Sequence, residues 1–157
     1  MFITKYEQKY LNGVLGYAFS KLFTDGLAAD PVEDRWTKLK EGDSYVDANG
    51  VTQQWTGFIT IDEANPIVNY VYYWFTRDNA SKTTPTGERE DEENGAVNVS
   101  GASKQSRGWN EMVQLNCALH DFLLNKKDVN GILVYPEFTT DCRLDTDLFH
   151  PINIYNL

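Results

Sequence analysis

Two histidines and two cysteines are all that 157 residues contain. A structural zinc site takes four nitrogen or sulfur ligands. Cys117-x-x-His120 has ligand spacing on a helix, but no second pair completes the set. Cys117 and Cys142 lie far apart, which reads as two reduced thiols of a cytoplasmic product. No apolar run approaches the ~20 residues of a membrane span. The N-terminus shows no basic region followed by an apolar stretch, so no secretory signal is read there. Basic residues are also scarce, 14 against 23 acids, for a net charge of −9. Without a Lys/Arg stripe, such a chain repels phosphate, which excludes sequence-driven DNA binding.

Catalytic signatures are missing too. There is no phosphate-binding glycine loop and no Gly-x-Ser-x-Gly elbow. Glu88–Glu93 holds five acids and one arginine without the spaced Asp/Asn-Gly pattern of a calcium loop. Carboxylate pairs can be chosen from the acids, but none sits in a distinctive motif. The expectation is a chain that is not an enzyme, with no cofactor and no metal.

What the sequence does have is aromatic residues, 13% of the total. Tyrosine and tryptophan serve cores, and they also serve interfaces where one end of the ring stays wet. The length suits one domain spanning 1–157. Helical periodicity dominates. Ile3, Tyr6, Tyr10, Val14, Ala18 and Leu22 form one apolar line, and Leu11, Leu15, Phe19 and Phe23 a second. Thr4 and Glu7 stand at capping-box spacing. Gly13 and Gly16 predict a kink or split, and the close approach of another backbone would explain both. Asp25-Gly26 is expected to end this stretch. A second helix is expected from Asp30, with Pro31 in its first turn, Glu33 completing a capping box, Val32, Trp36 and Leu39 inside and Gly42 as the stop.

Asn49-Gly50 between Ser44–Ala48 and Val51–Trp55 predicts a β-hairpin over 44–55 on a type I′ turn. Its polar strands need a larger body or a partner to lean on. Asn65-Pro66 reads as a helix start. Ile67–Phe75 is apolar or aromatic all round and rich in β-prone types, but the cap favours helix. Such a helix needs cover on all sides, so a second subunit is expected over part of it. Residues 78–105 read as a long acidic loop. The last helix carries Trp109, Met112, Leu115, Leu119 and Phe122 inward and Asn110, Gln114, Asp121 and Asn125 outward. Ser103 or Ser106 is its expected cap, and Lys126-Lys127 marks its end. The tail, 131–157, has no helical period. Ile132–Tyr135 reads as a short strand, and Phe149–Tyr155 as an extended segment that docks on its own domain or on a partner. The fold class is therefore mainly α: a small helical bundle of about four helices, an inserted hairpin and an extended C-terminal tail.

Several stretches together resemble a known family. Lys5–Leu11 followed by Val14-Leu15-Gly16-Tyr17 is similar to the opening helix of head–tail connector (adaptor) proteins of tailed phages. Arg35–Gly42, Trp55–Phe58, Pro66–Trp74 and Gly108–Val113 resemble the version in phages of gut Bacteroidota, including crAss-like phages. The resemblance implies a structural virion protein that forms a homo-oligomeric ring, typically dodecameric, beneath the portal protein. Such a ring extends the DNA channel without sequence-specific binding, has no membrane contact, and carries other neck or tail proteins. The virion neck, assembled in the host cytoplasm, is the implied location. Candidate subunit-interface residues are Tyr45, Trp55, Tyr72, Tyr73, Trp74 and Phe75. Candidate portal or neck contacts are Phe149, Ile152, Ile154 and Tyr155. A monomeric carbohydrate- or protein-binding accessory module is the alternative, with Trp55 and Trp74 as its stacking rings.

Overall fold

The computed structural model describes residues 2–59, 65–84, 87–90, 101–139 and 144–152. Among these residues the architecture is mainly helical, with five α-helices and an inserted antiparallel hairpin. The helices are α1 (Phe2–Leu15), α2 (Tyr17–Ala28), α3 (Asp34–Glu41), α4 (Pro66–Ala80) and α5 (Gly101–Asn125). The hairpin strands are β1 (Asp43–Val46) and β2 (Thr52–Trp55), and a further pair, β3 (Ser81–Thr84) and β4 (Gly87–Glu90), follows α4. A 3₁₀ turn covers Thr146–Phe149.

The first apolar stretch splits at Gly16, whose φ of 75° and ψ of 149° suit glycine almost alone. The break changes which residues face inward. Tyr10, Leu11, Val14 and Leu15 are buried before it, and Phe19 and Phe23 after it, while Ala18 and Leu22 turn outward. It also exposes the last carbonyls of α1, which have no partner within the helix. The Asp145 N–H donates to the Gly13 carbonyl at 2.9 Å, and Nε2 of His120 meets the Val14 carbonyl at 2.7 Å. Gly13 admits the 3₁₀ turn: a Cβ there would stand 2.7 Å from Leu148 Cδ1. The expected close approach at Gly13 is thus made by this chain's own 3₁₀ segment.

Several boundaries differ from expectation. Thr4 lies inside α1, which already begins at Phe2. Gly26 does not end its helix, because α2 runs on to Ala28. It is a packing glycine, since a Cβ there would fall 2.2 Å from Trp36 Nε1. The next helix begins at Asp34 rather than Asp30, and Glu33 makes no side-chain cap. Val32 consequently lies outside it and exposed, whereas Trp36 and Leu39 are buried and Gly42 stops the helix as expected.

The hairpin pairs Tyr45 with Gln53 and Val46 with Thr52. Its turn is not type I′, because no non-glycine residue among those described has positive φ. Gly50 N–H donates to the Asp47 carbonyl at 3.0 Å and Asp47 N–H to the Val51 carbonyl at 2.9 Å, with Gly50 alone at φ 80°. This is a type I turn closed by a glycine bulge. Asp47 Oδ1 accepts the N–H groups of Asn49 and Val51. These bonds hold its carboxyl below the usual carboxylate range.

Asn65 caps α4 as expected, its Oδ1 accepting from Ile67 N–H at 2.9 Å. The predicted loop at 78–105 is partly regular structure: α4 continues to Ala80, β3 and β4 pair, and α5 starts at Gly101. Ser106 is therefore buried inside α5 and not a cap, and Ser103 also lies within the helix. Met112, Leu119, Phe122 and Leu123 of α5 are fully buried, with Trp109 close behind.

One buried polar relay crosses the core. The Tyr10 hydroxyl donates to Asn116 Oδ1, and Asn116 Nδ2 donates to the Leu148 carbonyl at 2.8 Å. A buried amide left unpaired costs about 1–3 kcal/mol, and the relay satisfies this one while joining α1, α5 and the 3₁₀ turn.

Candidate interaction surface

Helix α4 packs through one side. Tyr70 is buried, with its ring 5.4 Å from that of Tyr10 and 6.4 Å from Trp109. Tyr73 lies 4.6 Å from Trp109, and Trp74 stacks on Tyr6 at 6.1 Å. Burial pushes the Tyr70 phenol up to about 12. The outer side is different. Val68, Tyr72 and Phe75 are 59%, 40% and 53% exposed. Steps of four and three at 100° per residue set these three on one stripe. Asn69 and Glu111, bonded at 3.3 Å, mark its polar margin toward α5.

Of the six interface candidates, Tyr72 and Phe75 are on this stripe. Tyr73 and Trp74 are half-buried against the chain's own core. Tyr45 and Trp55 are buried in the monomer and are corrected to core residues. Trp55 donates its Nε1–H to the Leu39 carbonyl at 2.8 Å and packs edge-on to Phe58. The Tyr45 hydroxyl donates to Asp121 Oδ2 at 2.6 Å, and burial with that carboxylate raises its pKa well above the ordinary phenol value. The polar hairpin thus leans on its own body through Tyr45 and Trp55. Trp55 offers no open ring to a sugar, and the ring of Trp74 has Tyr6, Lys9 and Arg77 against it.

The tail is tied to its own domain as far as Ile152. Trp109 Nε1–H donates to the His150 carbonyl at 3.0 Å. Asn110 takes the Ile152 N–H on Oδ1 at 2.8 Å and gives Nδ2–H to its carbonyl at 3.1 Å. Phe149 and Ile152, two of the candidate portal contacts, are partly buried against the core. Ile154 and Tyr155 lie outside the described residues.

The Cys117–His120 spacing makes no ligand pair, since Cys117 is exposed while His120 turns inward between Phe138 and Phe149. Burial lowers the His120 pKa below its ordinary 6.5. Among the described residues, no group of three His, Cys, Asp or Glu side chains could hold a metal ion. No helix among them is long and apolar enough to cross a membrane.

No family model, curated protein or solved structure matches this chain.

A second hairpin, which sequence reasoning took for a lone strand, closes the far end of α5. Val134 N–H donates to the Lys126 carbonyl and Asp128 N–H to the Ile132 carbonyl, bridging Lys127 to Leu133. Its loop, Asp128-Val129-Asn130-Gly131-Ile132, repeats the first hairpin's Asp47-Ala48-Asn49-Gly50-Val51 in sequence and in bonding. Asp128 Oδ1 accepts from Asn130 and Ile132, and Gly131 takes φ 78°. The shared Asp-x-Asn-Gly pattern was the available signal. A cleft of 610 Å³ separates the two hairpins.

Proposed function

We propose that this chain is a structural subunit of a phage head–tail connector, forming a homo-oligomeric ring beneath the portal protein in the virion neck. The observation that carries this reading is the outer side of α4, where Val68 and Tyr72 are 59% and 40% exposed in the monomer. Exposed apolar surface of this kind marks contact with another macromolecule. Two further features support it. The ordered motifs of α1, α3, α4 and α5 resemble connector proteins. The net charge of −9 suits a channel wall that DNA slides past without being held. Ring contacts between copies are heterologous, one surface meeting a different one until rotation closes.

Mixing the chain with the portal protein of a phage whose genome encodes it tests the proposal. Electron microscopy is expected to show a ring seated on the portal. Absence of any portal complex overturns the reading. A free protein that stays monomeric does not bear on it, because such rings can assemble on the portal itself.

A further inference from the structure

The break at Gly16 folds α2 back on α1 and leaves a crease between their outer sides. Two adjoining hollows of 240 and 150 Å³ lie along it, with Gln8, Ser20 and Thr24 as shared walls. The larger is lined almost entirely by polar groups. Gln8 and Asn12, four residues apart, reach it from one face of α1. Tyr17, Lys21 and Asp25 reach it from α2 at the same spacing. Tyr17 is the first residue of α2 and is 70% exposed, the most exposed aromatic side chain among the described residues. The ring of Trp74 has two cations against it, whereas no described ring or cation stands against Tyr17.

The polar groups around this hollow are uncommitted. Ser20 is only 2% exposed, yet its hydroxyl makes no hydrogen bond to a described residue. One turn on, the Thr24 hydroxyl is occupied by the Ser20 and Lys21 carbonyls at 3.1 and 3.0 Å. Buried hydroxyls are ordinarily paired, so that of Ser20 is left for a group that enters the hollow. Lys21 and Asp25 stand at ion-pairing spacing and make no ion pair, and the amides of Gln8 and Asn12 are equally unengaged among the described residues. The set supplies donors from Lys21 and both amides, acceptors from Asp25 and both amides, and a hydroxyl that does either. Drug-sized ligands take about 300–1,000 Å³, so 240 Å³ admits one small ring.

We propose that this crease binds carbohydrate, with one pyranose ring in the larger hollow. The C–H face of the sugar lies on the open Tyr17 ring, whose face carries the negative side of the aromatic quadrupole. Its hydroxyls are shared among Ser20, Asn12, Gln8 and Asp25. The smaller hollow, walled also by Glu7 and Leu11, adjoins along the crease and takes the next sugar unit. A peptide is a poorer match. The larger hollow has no apolar pocket for a side chain, and its walls are two helices with no open strand edge to pair a backbone. A phosphate is opposed by Asp25 and by the net charge of −9. The inference is independent of the connector reading, because the crease is open in a single chain.

The test titrates the full chain with the methyl pyranosides of glucose, galactose, mannose and N-acetylglucosamine and follows amide chemical shifts. A single polar ring binds with a Kd on the order of 1 mM, so the titration runs to about 20 mM. At least one pyranoside is expected to shift amides within 8–12 and 17–25 and to leave α4 unmoved. Tyr17→Ala is expected to weaken binding about tenfold, while Tyr17→Phe, which keeps the ring, retains most of it. Tyr17 is exposed, so both variants are expected to keep the parent's melting temperature. No shift with any of the four sugars overturns the proposal. Equal shifts from sorbitol, an open-chain polyol, overturn it as well, because the ring is then not recognised. Shifts from a neutral tripeptide but from no sugar overturn it in favour of a peptide site. Sugar binding undiminished by Tyr17→Ala overturns the assignment to this crease. Success or failure of ring assembly on the portal bears on the connector reading alone.

Discussion

The apolar stretch from Tyr6 to Phe23 and the apolar helix α4 are alike in composition and differ in how they meet the core. The first is broken at Gly16, so its two halves point different faces inward, Tyr10, Val14 and Leu15 before the break and Phe19 and Phe23 after it, while Tyr17 and Leu22 stay outside. Helix α4 runs unbroken for 15 residues. A straight helix meets a small body along one side only, so Tyr70 is buried while Val68, Tyr72 and Phe75 are left outside. A glycine break lets one apolar stretch turn two different faces to the core, whereas an unbroken helix offers the core a single side.

The largest expected effect lies where both stretches meet α5. Trp109→Ala removes an indole that packs on Tyr70 and Tyr73 and bonds the His150 carbonyl. It should cost about 3–5 kcal/mol, read by denaturant unfolding. An unchanged midpoint would show that α4 and the tail do not depend on this ring. Next come the glycines that make the first stretch fold back. Gly16→Ala forces a side chain into a conformation L-residues avoid and should cost about 1–3 kcal/mol. Gly26→Ala drives a methyl into the Trp36 ring, with a similar cost of about 1–3 kcal/mol. Neutral outcomes in thermal melts would remove the basis of the contrast.

A smaller, pH-dependent effect probes the same break. His120 bonds the freed Val14 carbonyl, and burial lowers its pKa in the fold below 6.5. As pH falls, the unfolded chain therefore takes up this proton first. The stability contributed is complete above pH 6.5 and is lost as pH drops from there through the lowered folded value. The melting temperature of His120→Gln should fall less steeply over that window than that of the parent. The smallest effect on the monomer should come from α4. Val68→Ser and Phe75→Ser should each shift stability by no more than about 0.5 kcal/mol, yet weaken ring formation on the portal. A large loss of monomer stability would make the stripe part of the fold.

Local chemistry made much of this architecture legible. The Asn65 cap, the Gly42 stop and the inward line of α5 follow from capping and from a 3.6-residue period, which act within a few residues. Failures arose where distant residues decided. Gly26 looks like a helix end until Trp36 arrives over it, ten positions later in the chain. Trp55 and Tyr45 looked like interface residues because their strands are polar. Only packing against Leu39, Phe58, Asp121 and Phe122 buries them. Of the interface candidates on α4, Tyr72 and Phe75 are exposed, but composition alone did not separate them from Tyr73 and Trp74.

By itself the sequence determined the helical class, an interruption of the first apolar stretch near Gly13 and Gly16, the first hairpin and the acidic charge. Each of these is set by neighbours in the chain or by a plain count of residues. Tertiary structure decided which aromatic side chains remain outside. It also brought two Asp-x-Asn-Gly hairpins, 81 residues apart in sequence, to face each other across one cleft. Burial is a property of what packs on a residue, and that is fixed only when distant segments meet.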